Sequence, residues 1–297
     1  MKEAVIISSH GIGDCILGLS CASFLEKGDY KILVSARAEV FHALDHVFGD
    51  LFELERIDES ISENNLILYD NLVKEKLWGQ YRNEYKNLYY VVPDLLFNSP
   101  LAFPCQHYGV SPHVIKSTRL LLDQRRPKRL IYLGLNSTTE GYVYNNISGL
   151  AIELAKKMPD FDIILPLVAK WAGNQINRPT FSETLPNLHI QENPSILKSF
   201  DDIANASYFV GTDNGPSHLA YHYGIPRLIL DPQFGRLPWI ARWKEDYCES
   251  IPINTEVDDI VTVVNANVTI PQTTLIPRME VLRRPFANWQ QELFFKF

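Results

Sequence analysis

The densest group of reactive side chains lies in the segment GTDNGPSHLA, residues 211–220. Pro216 suits the first turn of a helix, because the N–H that proline lacks would be unpaired there. A helix that begins at this point offers free backbone N–H groups, a hydroxyl and an imidazole to one anion. A diphosphate fits these donors. The candidate ligands in this segment are Asp213, Asn214, Gly215, Ser217 and His218.

A second candidate segment is SHGIGD, residues 9–14, between an apolar strand and a helical pattern. Gly11 and Gly13 allow a sharp turn and a close approach to a ligand. The segment lacks the third glycine of a dinucleotide fingerprint and the Gly-Lys-Ser/Thr of a P-loop. Asp14 then has two interpretations. It caps the helix and pairs with the helix dipole, or it faces the crevice at the strand end as a general base.

A third segment, LGLNSTTEG at residues 133–141, follows the first strand of the second half. Its hydroxyls and glycines, with Asn136, Thr138 and Thr139 among them, suit phosphate oxygens, and they equally suit an ordinary turn. The segment alone does not decide between the two.

The elements that would position these residues follow an alternating pattern, which indicates parallel sheets covered by helices. The predicted strands are 4–8, 31–35, 66–69, 89–92, 130–135, 161–165, 208–211 and 227–230, with a short strand near residue 188. The predicted helices are 14–27, 114–122, 147–158, 196–206, 216–223 and 256–265, and Gly224 and Pro226 suit the end of the fifth. The charged segment DQRRPKR, residues 123–129, marks a domain boundary. We therefore expect α/β domains at 1–125 and 126–270, with a tail at 271–297 that packs back on the first domain.

The net charge, the apolar runs and the cysteine spacing exclude several classes of function. The 297 residues include 28 Lys and Arg against 35 Asp and Glu, a net charge of −7. This balance argues against a non-specific nucleic-acid binder or a protein of anionic membrane surfaces. The start does not have the pattern of a signal peptide, and no apolar run approaches a membrane span. The four cysteines lack zinc spacing. We expect a cytoplasmic protein whose contact with the inner face of the membrane is at most peripheral.

Three blocks in the chain resemble the heptosyltransferase-like glycosyltransferases of family 9. They are GIGDCILGLSCASFLEK near the amino end, FDDIANASYFVGTDNGPSHLAYHYGIPRLILDP in the second half, and ILPLVAKWAG between them. The resemblance implies the GT-B architecture, with two facing Rossmann-like domains and a cleft between them. It also implies an inverting glycosyltransferase of surface polysaccharide or lipopolysaccharide synthesis. Such an enzyme moves a hexose or heptose from a nucleotide-sugar donor to a hydroxyl of a glycan or glycolipid, with no bound metal and no cofactor.

The resemblance also assigns roles to single residues. Asp14 matches the catalytic base, and Thr138 and Thr139 lie near the family's phosphate-contacting hydroxyls. Lys170 stands where the family often carries a glutamate near the donor ribose. Tyr142, Val143 and Tyr144 stand where it often carries a lysine, so the donor sugar and base stay open. The residues at 213, 215, 217 and 218 match the loop and helix start that hold the donor.

Two other functions are compatible with the same motifs. One is a module that binds a nucleotide sugar or a phosphate without catalysis, since a fold alone does not fix function. The other is a sugar-nucleotide epimerase, which would isomerise its substrate with no acceptor present. Transfer to a modified base in DNA is a further reading, and the acidic net charge argues against it.

Overall fold

The structure is a computed structural model, and it describes residues 2–8, 11–22, 30–57, 71–94, 99–105, 113–114, 120, 122, 128–136, 143–167, 170–171, 174–175, 179–232 and 248–268. Its strands are β1 (Lys2–Ser8), β2 (Tyr30–Ser35), β3 (Leu54–Ile57), β4 (Tyr85–Asp94), β5 (Ser99–Pro104), β6 (His113–Val114), β7 (Leu130–Gly134), β8 (Asp162–Leu167), β9 (Lys170–Trp171), β10 (Asn174–Gln175), β11 (Leu188–Glu192), β12 (Tyr208–Thr212), β13 (Arg227–Asp231) and β14 (Cys248–Pro252). Its helices are α1 (Ile12–Ala22), α2 (Ala38–Phe48), α3 (Asn71–Tyr81), α4 (Ile147–Lys157), α5 (Ile196–Asn205), α6 (Gly215–Tyr223) and α7 (Val257–Val268).

The chain divides into two compact units, Met1–Leu120 and Leu121–Leu275. The expected tail at 271–297 lies outside the described residues. Within the described ranges, no helix is both long enough and apolar enough to cross a membrane.

The first unit contains a six-stranded sheet in the order β3-β2-β1-β4-β5-β6. The first four of these strands run parallel, and the β5 and β6 pairings are antiparallel. The helix predicted at 114–122 is wrong at its start, because Val114 lies in β6. The antiparallel extension was not foreseen either, since the prolines of β5 disfavour a strand in the interior of a sheet.

The second unit contains a fully parallel sheet in the order β11-β8-β7-β12-β13-β14. When only the strands of this sheet are numbered, in chain order, this is the 3-2-1-4-5-6 order of the Rossmann fold. The expected α/β class, with one Rossmann-like sheet in each half, is therefore confirmed. The β9 and β10 hairpin stands apart from this sheet.

Apolar burial and side-chain caps explain the helices of the second unit. One face of α4 is buried in the core, and α7 adds Ile260, Val261 and Val264 to the same cluster. The Asn146 side chain accepts the Gly149 N–H at the start of α4, and the Ser195 side chain accepts the Lys198 N–H at the start of α5. Each such cap satisfies a backbone donor that the helix cannot pair itself.

The ends of β7 and β12 lie so close together that Gly134 and Gly211 leave no room for a side chain at either position. A Cβ added to Gly211 would stand 2.5 Å from the Gly134 carbonyl oxygen and 2.7 Å from the Phe209 ring. A Cβ on Gly134 would meet the same ring at 2.5 Å. Phe209 in turn stacks on Tyr132, with ring centroids 6.0 Å apart. Glycine at both positions therefore permits the close strand contact at this edge of the sheet.

This contact predicts opposite outcomes for two glycine substitutions. Gly211→Ala should lower the free energy of unfolding by about 1–3 kcal/mol, because a backbone oxygen cannot move aside as a side chain can. Gly79→Ala, at an exposed position of α3 with no atom within 4 Å of the added Cβ, should raise it by about 0.5–1 kcal/mol. Denaturant unfolding of both variants measures the difference. A neutral Gly211→Ala would contradict the packing described for this edge.

Candidate functional site

The candidate site of the second unit lies at the point where its strand order reverses. β7 and β12 are neighbours, and their outer partners are β8 and β13. Connections leave such a pair in opposite directions, so a crevice opens at the carboxyl ends of the strands, where open α/β sheets bind ligands. Asn136 follows β7 and Asp213 follows β12, which places two of the predicted ligands at this edge.

Asn214 joins the two strand ends. Its Nδ2 donates to the Gly134 carbonyl at 2.8 Å and to the Asn136 carbonyl at 3.0 Å. We call this pair of contacts the Asn214 bridge. Asn214 Oδ1 also accepts the Ser217 backbone N–H at 3.1 Å, and the Asn214 backbone N–H donates to Ser217 Oγ at 3.1 Å. This reciprocal capping box begins α6, and Gly224, at φ 71°, ends it as the sequence predicts.

The capping box changes the list of donors available to an anion. The Ser217 hydroxyl is buried and also donates to the Asn214 carbonyl at 2.7 Å. Pro216 has no N–H, and the Ser217 N–H is bound by Asn214. Gly215 is the first residue of α6, and its N–H is not part of the capping box. Ser217 and Asn214 thus shape the backbone here.

Asp213 and His218 form a buried carboxyl–imidazole pair at the start of α6. Asp213 Oδ1 lies 3.6 Å from His218 Nε2, and their side chains are 15% and 7% exposed. Burial, with a smaller contribution from the Asp231 charge, raises the pKa of Asp213 to about 7. Burial, with a smaller contribution from the Arg227 charge, lowers the pKa of His218 to about 3. At neutral pH the imidazole is therefore uncharged.

Two ionisable residues of β13, Arg227 and Asp231, contribute to the pKa shifts of this pair, and neither was predicted as a site residue. Arg227 is fully buried, and its Cζ lies 5.0 Å from the centroid of the Tyr221 ring, over its face. Asp231 is also buried, at the end of the same strand. The available signal was an ionisable residue at each end of the apolar run RLILD, which is unusual for a buried parallel strand.

On the β7 side of the crevice, the structure describes one of the predicted ligands, Asn136. Asn136 Nδ2 donates to the Pro166 carbonyl at 3.1 Å. Its Oδ1 is buried and has no hydrogen-bond partner within the described ranges. Such an acceptor is suited to a donor group on a ligand. Tyr144 is instead a core residue whose hydroxyl donates to the Thr255 carbonyl at 3.2 Å.

Three other predicted ligands are described in part or not at all. Thr138 and Thr139 lie outside the described residues. Lys170 lies in β9, where its backbone pairs with Gln175, and its side chain is outside the description. Of the residues described, no three His, Cys, Asp or Glu side chains come together in a group that could hold a metal ion.

Asp14 belongs to the first unit. It lies in the first turn of α1, which begins after the carboxyl end of β1, at the switch between β1 and β4. The carboxylate is half-buried, and its Oδ2 lies 3.9 Å from the position of a Cβ on Gly11. Gly13 lies in the same helical turn. This placement agrees with both interpretations of Asp14, because helix starts favour carboxylates and strand ends favour ligands.

No protein-family profile matches the chain, and no curated protein sequence does. Solved structures do match. The E. coli ADP-heptose lps heptosyltransferase II is 14% identical, with a TM-score of 0.55, over 90% of this chain and 98% of its own. E. coli heptosyltransferase WaaC with ADP is 11% identical, with a TM-score of 0.53, over 90% and 100%. The glycosyltransferase TibC from enterotoxigenic E. coli H10407 is 12% identical, and this chain spans 59% of its length, with a TM-score of 0.46.

The two heptosyltransferase structures that align over 98% and 100% of their own length define the class of fold. This chain has the heptosyltransferase-like GT-B fold, an α/β architecture with two sheets of mainly parallel strands. The resemblance expected from the three sequence blocks is thereby confirmed at the level of fold.

The raised pKa of Asp213 predicts a pH-dependent stability effect. The folded protein binds a proton at Asp213 more tightly than the unfolded chain, so the stability of wild type falls as pH rises from about 4 to about 7. Asp213→Asn removes this loss and should be more stable than wild type at pH 8, by about 2–4 kcal/mol, with a smaller difference at pH 5.

Denaturant unfolding at pH 5, 6.5 and 8 measures this difference. The control is Asp162→Asn, at an exposed carboxylate beside His189, which should change stability by no more than about 0.5 kcal/mol. A difference for Asp213→Asn that does not grow with pH would contradict the electrostatics described.

Proposed function

We propose that this protein is an inverting, metal-independent glycosyltransferase that moves a hexose or heptose from a nucleotide sugar to a hydroxyl of a glycan or glycolipid. The observation that carries the proposal is the α6 start, where Gly215 and an uncharged His218 lie in the first turn of a helix at the switch point of a Rossmann-type sheet. The fold, which is similar to that of two heptosyltransferases, supports the same activity.

The donor diphosphate would bind at the start of α6. The Gly215 N–H and the His218 imidazole would donate to its oxygens, and the positive end of the helix dipole would favour its charge. The buried Arg227 adds a positive charge behind the imidazole. Across the crevice, Asn136 Oδ1 would accept a hydroxyl or N–H of the donor. We propose further that Thr138 and Thr139 bind phosphate oxygens and that Lys170 lies near the ribose.

The transfer step would be a single displacement. The acceptor oxygen attacks the anomeric carbon, Asp14 takes the acceptor proton, and the bond from that carbon to the diphosphate oxygen breaks. Attack on the face opposite the leaving group inverts the anomeric centre. The charge that develops on the departing diphosphate would be met by preorganised dipoles at α6.

Removal of the base tests the chemistry. Asp14→Asn should keep nucleoside diphosphate binding and lose about 10²–10⁴ in turnover, because an amide cannot accept the acceptor proton. Asp45→Asn, at an exposed carboxylate on α2 of the same unit, is the matched control and should retain full turnover.

The measurement is product formation from a panel of nucleotide sugars with glycan and glycolipid acceptors. Near-normal transfer by Asp14→Asn would remove Asp14 from the mechanism. Binding without transfer would indicate a binding module, and an isomerised sugar formed without acceptor would indicate an epimerase.

Loss of the imidazole tests the diphosphate site separately. His218→Ala should weaken binding of ADP or UDP by about 10–150-fold, the range for a hydrogen bond to a charged group. His189→Ala, at an exposed imidazole of the same unit, should bind as wild type does. Isothermal titration calorimetry measures both, and equal affinities for the two variants would contradict the assignment of the site.

A further inference from the structure

The Asp213 carboxyl lies beside the proposed diphosphate site at the start of α6, where a negative charge would disfavour binding of an anion. It immediately precedes the Asn214 cap, and its Oδ1 is buried with no hydrogen-bond partner in the described part of the chain. The His218 imidazole, from the first turn of α6, lies beside it, with 3.6 Å between Oδ1 and Nε2. An ionised carboxylate here would repel the phosphates proposed to bind at the same helix start.

Burial and the charges of β13 together decide which member of the pair holds a proton. Burial disfavours the charged form of each group, the Asp231 charge acts on the carboxyl, and the Arg227 charge acts on the imidazole. A second negative charge favours the protonated carboxyl, and a positive charge disfavours a protonated imidazole. A proton taken up by this pair therefore stays on Asp213.

We propose that Asp213 takes up one proton when a nucleoside diphosphate binds, so that donor affinity falls as the pH rises above neutrality. The inference rests on the proposed function, since it assumes that the anion binds at α6. The step is a simple protonation: a proton from solvent forms an O–H bond on the Asp213 carboxylate, and no other bond changes. The neutral carboxyl can then donate to His218 Nε2 or to a phosphate oxygen.

The pKa of Asp213, raised to about 7 by burial and by Asp231, places this step in an accessible range. Above that pH the free protein holds an ionised Asp213, and binding must recruit the proton. Below it the proton is already present, and the affinity should level off.

Calorimetry tests the linkage directly. ADP and UDP are titrated into the wild-type protein at pH 8 in HEPES and in Tris, buffers that differ in ionisation enthalpy. We expect uptake of about 0.5–1 proton per ligand bound and an affinity that falls up to about tenfold between pH 7.5 and 8.5. This range lies above the titration of the terminal phosphate, whose second pKa is about 6 in a phosphate monoester.

Two variants assign the proton. Asp213→Asn should lose the uptake, bind at least as tightly as wild type at pH 8 and show no pH dependence from 7.5 to 8.5. Asp162→Asn removes the carboxyl of an exposed carboxyl–imidazole pair in the same unit and should keep the wild-type uptake.

The outcomes separate this inference from the proposed function. Binding with no proton uptake, or uptake that persists in Asp213→Asn, overturns the inference and leaves the glycosyltransferase proposal standing. Failure of ADP, UDP and their sugars to bind at any pH from 6 to 9 overturns both. If Asp213→Asn does not fold, Asp213→Ser, which also cannot ionise, takes its place in the same titrations, and wild-type binding without uptake still overturns the inference.

Discussion

The candidate site depends on how closely the ends of β7 and β12 approach each other. Parallel strands at a switch point carry their connections to opposite faces, and nothing in the sheet hydrogen bonds alone holds the segments beyond the strands together. In this protein the Asn214 bridge holds them together. The Asn214 side-chain amide, just after β12, donates to the carbonyl of Gly134 at the end of β7 and to that of Asn136 beyond it. The glycines at 134 and 211 permit the approach, since a side chain at either would meet backbone or the Phe209 ring.

The same asparagine sets the chemistry of the first turn of α6. It engages the Ser217 hydroxyl and N–H, and these bonds hold the first turn of the helix in a fixed arrangement. Preorganisation of this kind lowers the cost of ordering groups when an anion binds. Burial favours a protonated Asp213 and an uncharged His218, and the charges of Asp231 and Arg227 act in the same directions.

Local sequence rules were sufficient where a residue's role is set by its neighbours in the chain. Pro216 and Gly224 delimit α6 as predicted, because proline and glycine act through their own backbone geometry. The α2 helix was missed although Val40, Ala43 and Leu44 mark a buried face, since no motif drew attention to it. The antiparallel β5 was missed because its sequence, SPLAFP, carries two prolines.

The structure brings several of the predicted site residues to one edge of a sheet, and their roles as ligands stay predictions. A run of Asp, Asn, Gly, Pro, Ser and His beside a strand end indicates an anion site. The role of each residue in that run depends on contacts with residues distant in sequence. Ser217 was expected to bind the anion, and in the structure its hydroxyl is bound by Asn214. Arg227 and Asp231 affect the site from a neighbouring strand, and no spacing rule within residues 211–220 could include them.

Amide hydrogen exchange with and without ADP or UDP, measured on the full chain, tests the central claim most directly. If the Asn214 bridge and the start of α6 form the diphosphate site, ligand-dependent protection should concentrate in residues 131–136 and 211–220 of the second unit. Saturating ligand that leaves both segments unchanged, while it protects residues elsewhere, would contradict the account.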